Sequence, residues 1–188
     1  RQHTALDLHD RKCDQNLARL HKAGITGVRT VSGDACELNE VLTSFDAMLG
    51  EPALFDTVFI DAPCSGTGTM RRHPEIPWRL TENDVTTELP KLQLTMLKEA
   101  AARVAAGGEL IYATCSVFDE ENTQVVDAFL ASSEGAGFIG APLPEAQILQ
   151  PPGYAPAKSL VTLRQNPRGL FQSVPVNADS YDGHFCAR

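Results

Sequence analysis

Two of the five cysteines in this 188-residue chain stand where a thiol could do chemistry. Cys64 lies in Asp61-Ala62-Pro63-Cys64-Ser65-Gly66-Thr67-Gly68, and Cys115 lies in Tyr112-Ala113-Thr114-Cys115-Ser116. Each follows an apolar run that reads as a strand, and its small polar neighbours leave room for a ligand. Loops at the ends of neighbouring parallel strands lie about 5 Å apart per strand step, so two such thiols can face one pocket. A thiol in that position becomes a nucleophile when its pKa is depressed. A free cysteine can equally be a small buried hydrophobe. That is the reading for Cys13, Cys36 and Cys186, and on residue type alone it stays open for Cys64 and Cys115. Asp7, Asp34 and Asp61 also sit at or just past the ends of apolar runs, where a carboxylate either caps the next turn or binds a ligand.

The elements that must position these groups follow from periodicity. Residues 4–8 read as a buried strand. Asp10 is expected to cap a helix carrying Cys13, Leu17 and Leu20, with Gly24 as terminator. Residues 28–31 predict a second strand, and residues 35–49 a helical stripe of Leu38, Val41, Leu42, Phe45, Met48 and Leu49. The clearest strand covers 55–60. A helix is predicted from about 81 to 105, with Leu92, Met96, Leu97, Ala100 and Val104 on one face; Pro90 kinks or splits it and Gly107-Gly108 stops it. Residues 110–114 predict a strand, and Asp119 opens a helix with Val125, Val126, Phe129 and Leu130. Residues 131–157 read as a surface excursion, followed by strands at 160–163 and 184–187. Strands alternating with helices predict an α/β fold with a mostly parallel sheet, covered on both faces, and ligand groups at the carboxyl ends of the strands.

Composition narrows the class. With 43% hydrophobic and 21% charged residues, the chain suits one globular domain. No run approaches the roughly 18 apolar residues of a membrane span, and no export signal is visible at the first residues. Five cysteines without paired or His-clustered spacing argue against a disulfide framework and a structural metal, so no metal and a reducing, cytoplasmic setting are expected. The net charge of −8 excludes nucleic-acid binding through the bulk field alone and requires a local basic patch or a neighbouring region. Arg71, Arg72 and Arg79, with His73 and Trp78, form such a patch. It is either an ordinary solvated loop or a grip on RNA phosphates with Trp78 stacking on a base. Gly66-Thr67-Gly68 lacks the context of a phosphate loop.

Taken together, the DAPCSGTG and YATCS segments resemble the RNA cytosine-5 methyltransferases of the Sun (Fmu) type. Arg71-Arg72-His73-Pro74, Gln93, Gly107-Gly108 and the terminal Asp182-Gly183-His184-Phe185-Cys186-Ala187 add to the resemblance; the last is similar to the family's DGFFxA ending, with His184 in place of Phe. The match runs in order over nearly the whole chain and is closest to the bacterial ribosomal RNA branch. It implies a Rossmann-like class I methyltransferase sheet, S-adenosyl-L-methionine as cofactor and RNA as partner, with a single-stranded or flipped-out cytosine as target.

It also implies roles. Cys115 is the nucleophile that adds to carbon 6 of cytosine, and Cys64 assists the elimination that releases product. Asp61 bonds near cytosine N3 and N4 and also touches the cofactor side. Asp7 binds ribose hydroxyls, and Asp34 lies beside the adenine amino group. Arg71, Arg72 and Pro63 fall on the substrate side. The family's glycine loop (a motif like AAPGGK), its first strand and its N-terminal RNA-binding region have no counterpart here. Residues 1–188 are therefore expected to be a partial catalytic domain whose activity belongs to a longer enzyme. Two other readings stand beside this one. A non-catalytic RNA-binding or interaction fragment could keep the motifs, and a DNA cytosine-5 methyltransferase would use the cysteine after Pro but needs an ENV-like motif that is absent.

Overall fold

The computed structural model describes residues 3–141, 161–165, 170–175 and 182–188. It forms two compact units, Arg1–Phe55 and Asp56–Arg188.

The first unit is built on a β-α-β turn. Strands β1 (His3–Asp7) and β2 (Val28–Ser32) pair in parallel, His3 opposite Val28 and Asp7 opposite Ser32. Helix α1 (Asp10–Lys22) supplies the crossover that parallel strands require. Its Cys13 is buried, with the thiol 3.4 Å from the Val31 carbonyl oxygen. Asp10 lies in the first turn rather than at the cap; His9 holds the cap position, and its N–H donates to the Asp7 carboxylate. The predicted 35–49 helix is broken into a 3-10 turn (Ala35–Glu37), α2 (Leu38–Val41) and α3 (Thr43–Leu49). The break between α2 and α3 falls at Leu42, whose ψ of 0° departs from the helical value, and the Leu42 carbonyl then opens α3 by accepting from the Phe45 and Asp46 N–H groups. Only Leu42 of the predicted stripe is buried, and Met48 and Leu49 are exposed.

The second unit carries a five-stranded sheet in the order β3-β4-β7-β6-β5. Its strands are β3 (Phe55–Asp61), β4 (Val104–Thr114), β5 (Val161–Gln165), β6 (Phe171–Pro175) and β7 (His184–Ala187). The β4–β7, β7–β6 and β6–β5 pairs are antiparallel, so this sheet is mixed, not mostly parallel as expected. Only residues 166–170 join β5 to β6, too few for the crossover a parallel pair needs. Strand β6 was not among the predicted elements.

Between β3 and β4 lie α4 (Ile76–Arg79), a π-helical turn (Asp84–Glu88) and α5 (Leu89–Ala101). Pro90 has no N–H for the helical ladder, and the strain is absorbed just ahead of it, where the Leu89 N–H reaches the Asp84 carbonyl in the wider turn. The helix ends earlier than predicted. Val104 and Gly107-Gly108 belong to β4, where Gly108 lies so close to the Asp56 backbone that a Cβ would meet its carbonyl at 2.9 Å. Helix α6 (Thr123–Leu130) starts after the expected Asp119, whose carbonyl instead closes a turn by accepting from the Asn122 and Gln124 N–H groups. Helices α5 and α6 pack together, burying Leu97, Ala100, Val125 and Phe129; Tyr112 meets Phe185 edge-on at 6.2 Å.

The expected excursion at 131–157 lies outside the described residues beyond 141, as does position 160 of the expected strand 160–163. Among the described residues, no helix is long and apolar enough to cross a membrane.

Candidate active site

The two cysteine-bearing loops start level because the β3–β4 pairing continues past the end of β3. The Ala62 N–H donates to the Ala113 carbonyl at 2.9 Å, which sets the residues before Cys64 against those before Cys115. Gly68 then draws three segments together. Its N–H donates to the Cys115 carbonyl at 2.8 Å, and its own carbonyl accepts from Gly183 at 2.9 Å. A Cβ at position 68 would lie 2.2 Å from the Gly183 oxygen, so only glycine permits this approach.

The outcome is a thiol pair. Cys64 Sγ and Cys115 Sγ are 3.3 Å apart. The Cys64 hydrogen bond brings Cys115 down to about 7, against opposing pushes from burial and from the Asp61 and Glu121 charges. The same contact, aided by burial, pushes the Cys64 thiol up. Near neutrality the pair therefore holds one proton firmly, on Cys64, while Cys115 titrates to a thiolate that accepts the Cys64 S–H. A nucleophile and a proton-bearing neighbour are the two parts that addition followed by elimination needs.

Beneath the thiols lies a polar interior whose Glu121 and Asn122 the sequence reading did not single out. Ser116, Glu121, Asn122 and Gln93 are fully buried, and Ser65, Thr67 and Thr114 nearly so. One Glu121 carboxylate oxygen accepts from the Ser65 N–H at 2.7 Å and from Gln93 Nε2 at 3.1 Å; the other accepts from the Ser116 hydroxyl. Asn122 accepts from the Thr114 hydroxyl at 2.6 Å and donates to the Ser116 carbonyl at 3.0 Å. The signal was available as the acid-acid-Asn run at 120–122, which reads instead as a helix opening.

The other predicted site residues fall in several places. Asp61 is exposed at the end of β3, with its charge felt at Cys115. Pro63 is exposed, and its carbonyl accepts from Gln93 Nε2 at 2.9 Å. Arg72 makes a two-pronged bond to Asp182, Nε at 2.7 Å, and holds that carboxyl below its usual range. Arg71 is exposed one residue earlier. His73 and Arg79 flank Glu75 at 3.4 and 3.6 Å, so acidic partners offset part of the basic patch, while Trp78 is 89% exposed.

Asp7 and Asp34 belong to the first unit. Asp7 accepts from the His9 N–H at 3.0 Å, and Asp34 from the Cys36 N–H at 2.8 Å. The two carboxylates thus stand at or just past the carboxyl ends of adjacent parallel strands, and a pair of acceptors there suits a ligand rich in hydroxyl and amine donors. Among the described residues, no group of three His, Cys, Asp or Glu is placed to hold a metal ion.

Residues 1–187 match the family described as 16S rRNA methyltransferase RsmB/F. Ribosomal RNA small subunit methyltransferase B of Citrobacter koseri is 46% identical over 90 residues, covering 48% of this chain and 21% of that protein. The chain spans about a fifth of the length of the curated relatives it matches. Among solved structures, PH0851 superposes with a TM-score of 0.72 at 27% identity, covering 99% of this chain and 36% of that one. A methyltransferase homologue from Pyrococcus horikoshii gives 0.66 at 22% identity, covering 98% and 51%. The α/β fold is that of class I methyltransferase structures.

Proposed function

The chain belongs to the 16S rRNA methyltransferase RsmB/F family, and from that premise we propose that residues 1–188 are part of the catalytic domain of an S-adenosyl-L-methionine-dependent RNA methyltransferase acting on carbon 5 of a cytosine in small-subunit ribosomal RNA. The observation that carries the reading is the thiol pair, 3.3 Å apart, with Cys115 titrating at about 7 and Cys64 keeping its proton.

Carbon 5 of cytosine is a poor nucleophile. Cys115 thiolate adds to carbon 6, and the electron pair of the ring double bond moves toward carbon 5, with Asp61 stabilising the charged base near N3 and N4. The bound cofactor supplies the methyl group that carbon 5 takes. Water takes the carbon-5 proton, the C–H electron pair restores the ring double bond as the carbon–sulfur bond breaks, and the Cys64 S–H donates a hydrogen bond to the departing Cys115 thiolate. The 3.3 Å separation of the two sulfurs supports this reading. Asp7 and Asp34 would hold the cofactor's ribose and adenine groups. On the RNA side stand Arg71, Arg72 and Pro63, with Trp78 exposed for stacking. The cytoplasm, where thiols stay reduced, is the proposed compartment.

The test uses the full-length protein with under-methylated small-subunit RNA and labelled donor. The expected result is 5-methylcytosine in the RNA, identified by nucleoside mass spectrometry. Label absent from cytosine, or no transfer by a folded enzyme, overturns the reading in favour of a non-catalytic RNA-binding protein.

A further inference from the structure

Glu121 is fully buried, yet its carboxylate touches neither thiol in any direct bond of the proposed reaction. Its partners explain its presence. Ser65 is the residue after Cys64, and Ser116 is the residue after Cys115; one carboxylate binds both, through the Ser65 N–H on one oxygen and the Ser116 hydroxyl on the other. Gln93 adds a third donor at 3.1 Å and with the same amide group grips the Pro63 carbonyl, on the other side of Cys64. Gln93 Oε1 is buried without a partner, so these two acceptors alone orient the amide. The Tyr112 hydroxyl, at the base of the second loop, donates to the Glu121 carbonyl at 2.7 Å and holds the residue in place. The hydroxyls of Ser65, Thr67 and Ser116 close the space between the loops at 3.1–3.3 Å.

A buried carboxylate is poor value as a source of stability, since an apolar side chain of similar volume often serves a fold as well or better. What it does well is fix geometry, because charge-assisted hydrogen bonds are short and directional. We infer that Glu121 is a positioning residue that sets the separation of Cys64 and Cys115 by holding both of their loops on a single carboxylate. The inference rests on the reading of those thiols as the reacting pair.

The experiment uses the full-length enzyme and needs neither RNA nor donor for its first readout. A bifunctional thiol reagent, dibromobimane, bridges Cys64 to Cys115, and the product is mapped by peptide mass to exclude Cys13, Cys36 and Cys186. Glu121→Ala is expected to slow bridging by about tenfold or more, and to lower kcat by a similar factor while KM for RNA stays within about twofold. A second readout is the pH profile of Cys115 alkylation by iodoacetamide. Cys115 faces Cys64, Asp61, Glu121 and the Arg72 charge. If Glu121 holds the thiols together, its loss separates Cys115 from the Cys64 hydrogen bond and the midpoint moves up from about 7. If Glu121 acts only as a nearby negative charge, its loss moves the midpoint down, and the inference is overturned. Unchanged bridging overturns it too. Should Glu121→Ala fail to fold, Ser116→Ala releases the second loop alone and is expected to slow bridging about threefold; no change there has the same contrary meaning. A wild-type enzyme that bridges normally but transfers no methyl group refutes the methyltransferase reading while leaving the bridging comparison to decide the role of Glu121.

Discussion

The loops that carry Cys64 and Cys115 and the strand ends that carry Asp7 and Asp34 are both places where a ligand is expected, and they are built in opposite ways. Around the thiols, the side chains of Ser116, Glu121, Asn122 and Gln93 are fully buried, and those of Ser116, Glu121 and Gln93 bond across segments far apart in the chain. At the strand ends, each carboxylate makes a bond to a backbone N–H two residues on, and Asp34 is exposed. On the proposed roles, the contrast follows from the tasks. Bond-making atoms must be held to a fraction of an ångström before substrate arrives, and interior hydrogen bonds can do that. A carboxylate that receives hydroxyl or amine donors can sit on a short turn, because the ligand itself completes the geometry.

Breaking the thiol end gives the largest effects. Cys115→Ala is expected to reduce methyl transfer by at least about a thousandfold, measured as label incorporated per enzyme, with the RNA still bound. Core substitution in the same unit comes next. Leu97 is 2% exposed, and Leu97→Ala is expected to destabilise the second unit by about 2–5 kcal/mol in urea unfolding. Met48→Ala in the first unit, at a side chain 66% exposed, is expected to change stability by about 0.5 kcal/mol or less.

The strand ends should respond differently. Asp7→Asn or Asp34→Asn is expected to weaken cofactor binding about tenfold by calorimetry while kcat at saturating cofactor stays within about threefold. A large fall in kcat with unchanged cofactor affinity would erase the distinction between the two regions.

The pH response sharpens it further. Cys115 reacts as the thiolate, and its pKa is lowered to about 7, so alkylation rises with pH through about 7 and levels off above it. Below that midpoint the rate falls with the thiolate fraction, roughly tenfold per pH unit. Cys64→Ala removes the hydrogen bond that lowers Cys115, and the midpoint is expected to move up toward that of an ordinary thiol. A small effect is also expected at the clasp between Arg72, which is well exposed, and Asp182: Arg72→Ala is expected to cost about 1 kcal/mol or less in stability.

How much of this could be read in advance differs between the same two regions. The strand ends were legible because apolar runs that stop at an acid or a small residue mark where a sheet delivers its loops. β1, β2, β3 and β7 lie close to where periodicity put them. Val104 misled because an apolar residue at helical spacing is equally at home in a strand. The break between α2 and α3 lies in the backbone of one residue, Leu42, whose ψ of 0° periodicity does not register. Strand β6 is short, ends in proline and exists only through its neighbours. The buried network under the thiols was the least legible part. Glu121 reads locally as a helix-opening acid, and its real partner Ser65 is 56 residues away.

The central claim is that Cys115 attacks the base and Cys64 releases it. Its most direct test is the mass of the trapped protein–RNA adduct formed by full-length Cys64→Ala enzyme with RNA and cofactor. The account predicts a stable adduct whose nucleotide is attached to the peptide containing Cys115, and no adduct when Cys115 is also replaced. An adduct that survives the loss of Cys115, or one attached to Cys64 in the Cys115→Ala enzyme, would contradict it.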